Sequence, residues 1–493
     1  MYLVLLGFSS ILAIVASEKF LINNEKCKIP DFPVFSDDVK KYHTKLYYIN
    51  CNNSQLLTYT TVENNTAYLH IDRKALDSTS QAIDCCYKYV SRKGSKDRPD
   101  AGIEYSKCHP FNSTVALEQS FVSVECKLGA NKTFKNAHST IVITKAVEEK
   151  LKKFKKEAKK RPLSVLFMLI DAVSRLNFER TMPLTKKFLL ANNFTEYIAY
   201  NKIDDNSFPN FNALITGLNL KQSNEICKPT QVGGLDKCPM IWYDFRNFGY
   251  ATAYAEDWPD ISTYNYQKKG FKNPPTDYYF KPYMEAATKL GVKNYDNMPY
   301  CAGPETQGER IMNIAKDFSK TFKDQPSFGA FWMNTFSHDR LSSPSRMDEK
   351  FKAFVEDIKR EGILDRSMVV VFADHGFRYE YKNTNQGWYE DKLPMNFISL
   401  PKWFQEEYPK KYQNFKDNSK KFTSTYDFYL TLQDILALSV ENYTMTGSKA
   451  CATCASFFAE HPEGRGCADV GISTYWCTCH PKKKSAILQN ILP

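Results

Sequence analysis

The stretch VVVFADHGFRYE, from Val369 to Glu380, begins as an apolar run and changes abruptly at Asp374-His375-Gly376. A short apolar run rich in β-branched residues and bounded by glycine predicts a buried strand. The Asp-His-Gly sequence alone is only an ordinary turn signal. The stretch therefore predicts a buried strand whose end presents a carboxylate beside an imidazole.

Six apolar runs of this kind alternate with helical patterns, which include residues 305–322, 347–358 and 426–438. This alternation predicts an α/β domain over residues 162–445, a three-layer sandwich with a mostly parallel sheet between two layers of helices. The runs are LSVLFMLI (Leu163–Ile170), YIAY (Tyr197–Tyr200), YATAYA (Tyr250–Ala255), FGAFWM (Phe328–Met333), MVVVFA (Met368–Ala373) and MNFISL (Met395–Leu400).

Polar side chains that can bind metals follow three of these runs. Asp171 follows the first, Asn334 follows FGAFWM with His338 four residues later, and Asp374-His375 follow MVVVFA. In open α/β sheets ligands gather outside the carboxyl ends of the strands, so we expect these residues to converge. Singly, such an aspartate is usually a turn or cap residue, and such a histidine usually packs in the core. Only these residues taken together indicate a metal-binding site.

The first 17 residues, MYLVLLGFSSILAIVAS, form an apolar block that ends in small residues. The block is short for a membrane span and predicts a cleaved secretory signal peptide. A short membrane anchor is the alternative, because no lysine or arginine precedes the apolar residues. Asn-X-Ser/Thr tripeptides begin at Asn52, Asn64, Asn112, Asn131, Asn193 and Asn442. Together these features predict a secreted, extracellular glycoprotein.

Cysteines distinguish the two ends of the chain from its middle. Residues 18–145 contain six of the 14 cysteines and short alternating runs such as TAYLHI (Thr66–Ile71), which predict a disulfide-rich, β-containing module. Cys227 and Cys238 are close neighbours, and Cys301 stands alone. Five more cysteines lie in a tail, residues 446–493, so parity predicts a disulfide between Cys301 and the tail.

Disulfides are the expected use of cysteines behind a signal peptide. The alternative for the tail is a zinc site built from its CxxC and CxC pairs, which lie near His461 and His480.

The formal net charge of +11 is concentrated in one segment. Residues 146–161 carry seven lysines and one arginine against three glutamates, and Val147, Leu151 and Phe154 recur at helical spacing, which predicts a basic amphipathic helix. We favour a solvated connector between modules, with a weak contact to an anionic surface as the alternative. We expect no specific binding of nucleic acid.

Five stretches, taken in chain order, resemble the alkaline-phosphatase and sulfatase-like superfamily of metal-dependent ester hydrolases. More closely, the chain resembles an invertebrate-rich branch of secreted proteins classed as domain of unknown function 229. The likeness covers most of the chain and is strongest over residues 163–438. The stretches are LIDAVSR around Asp171, DDNSFPNFNALITG (Asp204–Gly217), AEDWP (Ala255–Pro259), NTFSHD (Asn334–Asp339) and FADHGFR around Asp374.

The resemblance implies a nucleophile. Members similar to nucleotide pyrophosphatases carry Thr-Phe-Pro-Asn at a helix start, and the residues from Ser207 to Asn210 match with serine for threonine. Ser207 is thereby implied as the nucleophile, and Asn210 as a donor to the substrate's oxygens. Sulfatases need an arginine where this chain has Phe211, and a second aspartate where it has Ala172. Phosphate esters are therefore favoured over sulfate esters.

The resemblance also implies metal ligands. Asp171, Asp374 and His375 correspond to the ligands of one divalent ion; their chemistry suits zinc, with magnesium or calcium as alternatives. A second ion would use Asn334, where the superfamily has aspartate, and His338. We therefore expect one or two ions, the second at a depleted site.

A third histidine for the second ion is missing from the α/β domain. Thr425 and Tyr426 stand where the branch tends to carry one, so only His461 or His480 could supply it. The resemblance implies a metal-dependent hydrolase or transferase acting on a small-molecule or glycan phosphoester. The alternative is a catalytically degenerate extracellular glycoprotein with a binding or structural role.

Other polar residues are candidates for accessory roles. Glu256 and Asp257 follow the run YATAYA and would reach the same edge of the sheet, unless they form an ordinary turn. Arg175, Arg378 and Lys392 are candidate contacts for an anionic substrate.

Overall fold

The computed structural model describes residues 19–52, 55–75, 83–129, 132–157 and 160–480. The predicted signal peptide, the tripeptide at Asn131 and residues 481–493 lie outside this part of the chain. Within it, no helix combines the length and the apolarity that crossing a bilayer requires.

The described strands are β1 (Phe20–Asn23), β2 (Lys28–Pro30), β3 (Thr58–Glu63), β4 (Thr66–Ile71), β5 (Ile83–Arg92), β6 (Ile103–Tyr105), β7 (His109–Phe111), β8 (Thr114–Leu117), β9 (Phe121–Leu128), β10 (Lys132–Ser139), β11 (Ser164–Ile170), β12 (Thr195–Glu196), β13 (Ala199–Asn201), β14 (Ala251–Glu256), β15 (Tyr278–Tyr279), β16 (Val292–Tyr295), β17 (Met298–Ala302), β18 (Glu305–Thr306), β19 (Ser327–Met333), β20 (Ser367–Phe372), β21 (Asn396–Ser399) and β22 (Phe422–Ser424). The described α-helices are α1 (Asp37–Lys40), α2 (Lys145–Glu157), α3 (Arg175–Thr181), α4 (Pro183–Ala191), α5 (Ser207–Thr216), α6 (Leu220–Ile226), α7 (Ile241–Asn247), α8 (Lys281–Thr288), α9 (Gln307–Thr321), α10 (Asp348–Arg360), α11 (Asn385–Glu390), α12 (Lys402–Glu407), α13 (Pro409–Asn418) and α14 (Thr425–Ser439).

The central sheet has seven strands in the order β12-β21-β20-β11-β19-β14-β15. The strands from β20 to β15 run parallel, and β21 and β12 extend one edge in antiparallel pairing. The predicted, mostly parallel sheet is therefore confirmed. The run YIAY differs from its prediction, because its last two residues enter β13, which pairs with β22 outside this sheet.

The sheet is covered by helices on both faces. All seven residues of β11 are buried, and the six apolar ones alternate between two apolar clusters. The residues on the side of Val165 pack with α5, α7 and α14, and those on the side of Leu166 pack with α9 and α10. This alternation is what a strand covered on both faces requires, and it confirms the predicted three-layer sandwich.

The N-terminal region is β-rich, as predicted. One sheet has the order β10-β9-β5-β6, with β7 also paired to β5, and a second has the order β3-β4-β8. Two disulfides, Cys85–Cys126 and Cys86–Cys108, join β5 to its neighbours. The predicted unit boundaries at residues 145, 161 and 445 stay predictions.

The prediction that Cys301 is bonded to the tail is wrong. Cys301 pairs with Cys51 of the N-terminal region, while the tail is joined to the N-terminal hairpin by Cys27–Cys479. Cys227 pairs with Cys238, and the other tail cysteines form Cys451–Cys454 and Cys467–Cys477. Among the described residues no cysteine is free, so the tail offers no thiolate for the alternative zinc site.

Helix α2 has the amphipathic character that the sequence predicts. Val147 and Leu151 are buried, and Phe154 packs edge-on against Tyr250. Lys150 pairs with Asp277, whereas most of the other lysines are exposed. Contact of this basic face with an anionic surface stays a prediction.

Candidate functional site

Strand pairing explains why residues far apart in the sequence meet at one edge of the sheet. β20 and β19 flank β11 as parallel partners and end level with it. Asp171 follows β11 directly, Asn334 follows β19, and Asp374 and His375 follow β20 after one residue. The carboxyl ends of three neighbouring strands thus bring the predicted residues together.

Asp171, Asp374 and His375 form a compact group. His375 Nε2 lies 3.2 Å from Asp374 Oδ2 and 3.6 Å from Asp171 Oδ1. One ligand atom from each residue lies within 4.8 Å of the other two, and all three residues are buried. Two carboxylates and an imidazole at this spacing form a chelating set for a divalent cation.

Hydrogen bonding shows which atoms of this group are available to a cation. His375 Nδ1 is 2.8 Å from the Gly376 carbonyl oxygen, which can only accept, so Nδ1 carries the proton and Nε2 a lone pair. His375 Nε2, Asp171 Oδ1 and Asp374 Oδ2 are buried without a hydrogen-bond partner. Buried polar atoms are normally paired, so three acceptors facing one point fit a bound cation.

The pKa shifts have the directions expected of charges buried close together. Burial and the nearby charge of Asp374 raise the pKa of Asp171 well above its usual value. Burial lowers the pKa of His375 to about 4, which keeps the imidazole neutral at physiological pH. A neutral imidazole is the form that binds a metal.

Ser207 is presented to this group by the start of a helix. It is the first residue of α5 and is half-buried, and its side chain lies close enough to Asp374 to lower the pKa of that carboxyl. Asn206, the N-cap residue, makes no side-chain capping bond, so it leaves the first-turn N–H groups uncapped. Ser207 therefore lies at a helix start beside the chelating group, and its role as the nucleophile stays a prediction.

Asn210 does not have the geometry of a substrate-binding residue. Its Oδ1 accepts hydrogen bonds from the backbone N–H groups of Ile203 and Asp204, at 2.8 and 3.2 Å. Its Nδ2 donates to the carbonyl oxygens of Asp204 and Asn206. All its polar atoms are used to hold the loop before Ser207, so we correct the predicted role to that of a positioning residue.

A strained residue follows Asp171. Ala172 has φ of 59°, a left-handed conformation that is uncommon for alanine. Its backbone N–H donates to Asp374 Oδ1 at 3.3 Å, which links the ends of β11 and β20. Strain of this kind persists at functional sites because the surroundings enforce it. No sequence pattern indicated it, since alanine is unusual at positive φ.

His338 reaches the group from the next strand end. Its Nε2 lies 4.0 Å from Asp171 Oδ2, and its Nδ1 hydrogen-bonds to Asp339. A carboxylate that accepts from one imidazole nitrogen leaves the other nitrogen available as a ligand. Asn334 is also buried here, but its Nδ2 donates to Asp257, so only its amide oxygen remains to face a cation.

The tail histidines do not complete a second metal site. His461 Nδ1 is hydrogen-bonded to Arg465, and its Nε2 lies 3.1 Å from two backbone carbonyl oxygens. His480 is exposed at the end of the described residues. In the described part of the chain, the chelating group around Asp171 includes neither of them.

Glu256 and Asp257 are buried, but they do not offer free carboxylates to the site, which corrects the prediction. Asp257 accepts four hydrogen bonds from the backbone and side chains of Asn334 and Thr335, at 2.6 to 3.1 Å. Burial raises its pKa to about 6, although these bonds oppose the shift. Glu256 accepts from the Tyr254 hydroxyl and the Thr263 backbone N–H.

The candidate anion contacts separate into two kinds. Arg378 donates to Asp205 at 3.2 Å, and its charge acts on Asp171, so it lies at the site. Lys392 is buried, with its Nζ 3.6 Å from Asp391 Oδ2. Arg175 instead pairs with Asp31 of the N-terminal segment at 3.1 Å, and its contact with an anionic substrate stays a prediction.

Comparison with known proteins identifies the family. The sequence matches the family described as "Protein of unknown function (DUF229)" over residues 44–490. The chain belongs to the DUF229 family. This confirms the domain of unknown function that the motifs resemble.

Several solved structures are similar to this DUF229 protein. The C-terminal periplasmic domain of EcEptC from Escherichia coli has a TM-score of 0.40 and 14% identity, over 59% of this chain and 88% of that chain. The lipoteichoic acid synthase LtaP from Listeria monocytogenes has a TM-score of 0.38 and 14% identity, over 58% and 75%. The phosphonate monoester hydrolase SpPMH from Silicibacter pomeroyi has a TM-score of 0.38 and 12% identity, over 61% and 77%.

One charged residue near the site of this DUF229 protein was missed. Lys202 is fully buried, donates to Asp391 at 2.7 Å and to the Asp205 carbonyl oxygen at 3.1 Å, and lowers the pKa of His375. The sequence signal for Lys202 was its position shortly after the apolar run YIAY. A lysine there is expected to be buried, and a buried lysine needs a carboxylate partner.

Replacing Asp257 by alanine is expected to destabilise this DUF229 protein by about 2 kcal/mol, because it leaves buried N–H groups of Asn334 and Thr335 unpaired. Urea unfolding measures the change. The control is Asp260→Ala, which removes an exposed carboxylate three residues later and should cost less than about 0.5 kcal/mol. Equal effects of the two variants would contradict a structural role for Asp257.

Proposed function

We propose that this DUF229 protein is a metal-dependent hydrolase or transferase of phosphoesters that uses Ser207 as its nucleophile. One observation carries the proposal: three buried, unpartnered ligand atoms converge beside a serine hydroxyl at the start of a helix. A structural turn would satisfy these atoms within the protein, whereas a cation site leaves them free.

Asp171, Asp374 and His375 would hold the ion. Their mixed oxygen and nitrogen chemistry suits zinc, with magnesium or calcium as the alternatives. Such an ion supplies Lewis acidity, which favours the alkoxide of a nearby hydroxyl and offsets negative charge on a phosphoryl group. His338 and Asn334 are the candidate ligands of a second ion.

The residues of the chain itself orient the reaction. The Ser207 hydroxyl lies beside the Asp374 carboxylate, and Asn210 holds the loop that precedes Ser207. The N–H groups of Ser207 and Phe208 point out of the uncapped first turn of α5 and are suited to bind phosphoryl oxygens. The guanidinium of Arg378 adds positive charge at the same edge.

Phosphate rather than sulfate esters are the proposed substrates. Phe211 occupies the position where sulfatase maturation needs an arginine, and its ring is packed in the core against Trp332. Ala172 stands where sulfatases have a second aspartate. The substrate would be a small molecule or a glycan that carries a phosphoester.

We also propose that the protein is secreted. Seven disulfides join the described cysteines, which is typical of proteins that fold in an oxidising compartment. Glycosylation is proposed at the Asn-X-Ser/Thr tripeptides, of which Asn64, Asn112, Asn193 and Asn442 lie in the described chain beside Asn52.

A catalytically degenerate binding protein is the second candidate. It is favoured by Asn334, an amide where the superfamily has a carboxylate, and by the absence of a third histidine from the chelating group in the described residues. Such a protein would keep the fold and one ion without turnover.

Metal content and ester turnover together test the proposal. The purified secreted protein is expected to contain at least one divalent ion per chain by mass spectrometry, and to hydrolyse members of a panel of phosphoesters. Asp374→Asn removes one ligand charge and should lose both the ion and the turnover, while Asp324→Asn, which changes an exposed carboxylate, should keep both. A metal-bound protein without turnover would favour the degenerate binding protein, and a metal-free wild type would overturn both candidates.

A further inference from the structure

A cleft of about 690 Å³ lies between the N-terminal region and the α/β domain. One wall is formed by residues 98–102, and the other by the loop after β14 and by α8. Its volume is in the range of ligand-binding pockets. The cleft therefore has room for an extended small ligand.

Unpaired positive charge distinguishes this cleft. Arg98, Lys268, Lys269 and Lys289 line it, and in the described part of the chain none of them forms an ion pair. The Lys281–Glu285 pair is neutral, and Asp100, which also faces the cleft, is paired with Arg92. Asp260 is the remaining carboxylate, so the cleft keeps an excess of cations.

One lysine of the cleft contacts the residue that follows the candidate nucleophile. Lys268 Nζ lies 4.3 Å from the ring centroid of Phe208, the residue after Ser207. The loop that carries Lys268 begins at Trp258, directly after Asp257, which holds the Asn334 turn. Lys268 thus connects the cleft to the start of α5.

The cleft is built rather than incidental, because the loop that forms it is fixed to the N-terminal region. Asp100 Oδ2 accepts hydrogen bonds from the side chains of Asn265 and Tyr279 and from the Phe271 backbone N–H, at 2.8 to 3.2 Å. Gly270, at φ of 67°, lets the backbone pass close to Asp100, where a Cβ atom would lie 2.5 Å from it.

We propose that this cleft binds an acidic oligosaccharide and places its phosphoester-bearing end at Ser207. The role of the cleft as a substrate subsite rests on the function proposed for Ser207. The binding of the glycan to the cleft does not depend on that function. Tyr266 lines the cleft with 52% of its surface exposed and offers a face on which a sugar ring can stack.

The lining favours a glycan over a nucleic acid. Asn265, Gln267, Thr230 and Asp260 supply both donors and acceptors, which suits hydroxyl groups between separate negative charges. Single-stranded nucleic acids need a continuous basic groove with several stacking aromatic residues. Tyr266 is the one exposed aromatic residue in the lining of this cleft.

Fluorescence anisotropy with a labelled, sulfated heparin hexasaccharide tests the proposal on the full secreted chain carrying Ser207→Ala, so that turnover plays no part. Lys268→Gln/Lys269→Gln is expected to weaken binding about tenfold or more. A second variant, Arg98→Gln/Lys289→Gln, changes only exposed residues of the cleft and should also weaken binding of the hexasaccharide. It tests the proposal if Lys268→Gln/Lys269→Gln folds poorly.

The matched control is Lys155→Gln/Lys156→Gln, which removes the same charge from the exposed face of α2 and should change binding less than about twofold. Equal weakening by the control would overturn the proposal in favour of a diffuse charge effect. Equal binding of a neutral maltohexaose, or tighter binding of a single-stranded DNA with the same net charge, would also overturn it. Binding without turnover of any phosphoester by the Ser207 enzyme would refute the proposed reaction and leave the glycan site intact.

Discussion

Replacing Ser207 by alanine is expected to lower the turnover of a phosphoester at least about a thousandfold while the bound metal stays. The serine hydroxyl is the attacking group of the proposed reaction, and alanine offers no replacement for it. The three proposed ligands, Asp171, Asp374 and His375, are held by their own strand ends, so their positions do not depend on the hydroxyl. Turnover and metal content of the same preparation measure the two effects.

Ser207→Thr is the matched control, because it keeps a hydroxyl at the first position of α5 and restores the residue that similar members of the superfamily carry. It is expected to retain turnover within about tenfold of the wild type. If alanine and serine at this position support equal rates, Ser207 is not the nucleophile. If alanine loses the metal as well, the hydroxyl is needed as a ligand rather than only as an attacking group.

The convergence of the site could be predicted from the sequence because it depends on strand order and direction. Apolar runs locate β11, β19 and β20, and parallel strands end at one edge of the sheet. The sequence alone therefore assigns Asp171, Asp374, His375 and His338 to one place, and they lie together in the structure. Serine at a helix start could likewise be assigned, since the Phe-Pro-Asn sequence after it is specific.

The roles of several polar side chains could not be predicted, because their partners are set by the folded chain. Asp257 and Asn210 have the chemistry of ligands, but both are fully used in holding loops. Arg175 has the chemistry of an anion contact and is paired with Asp31, 144 residues earlier in the chain. Whether such a group is free is decided by tertiary contacts, which leave no local pattern in the sequence.

The disulfide partners show the same limit. A count of cysteines allows Cys301 to pair with any cysteine that has no other partner. The tail, with five cysteines, must leave one of them without a partner in the tail, but the count does not show that this one pairs with Cys301. In the structure β17 lies beside the segment around Cys51, which brings the two Cα atoms within 5.7 Å. The distance between Cα atoms in the fold decides the pairing, and a count of cysteines does not contain it.

A buried ion pair beneath the site is expected to contribute strongly to whether the protein folds. Arg180 and Glu390 form a salt bridge with side-chain exposures of 0% and 3%. Glu390 also accepts hydrogen bonds from Ser174, Tyr381 and Gln386. Ser174 caps α3, three residues after Asp171, so this network connects α11 to the segment that leaves β11.

Replacing Glu390 by alanine is expected to lower the free energy of unfolding by about 3–5 kcal/mol. The variant leaves the Arg180 guanidinium buried without a counter-charge, and the cost of that unpaired charge exceeds the attraction that is lost. Urea unfolding of the secreted chain, followed by circular dichroism, measures the change.

Two further variants separate the buried charge from the loss of contacts. Arg180→Met/Glu390→Leu removes both charges and keeps apolar volume, so it should recover most of the stability lost in Glu390→Ala. Asp324→Ala breaks the exposed pair with Arg366, 3.3 Å apart, and should cost less than about 1 kcal/mol. If Glu390→Ala costs no more than Asp324→Ala, the guanidinium is not isolated by burial. If the double variant is as unstable as Glu390→Ala, the hydrogen bonds from Ser174, Tyr381 and Gln386, rather than charge, are what stabilise this part of the fold.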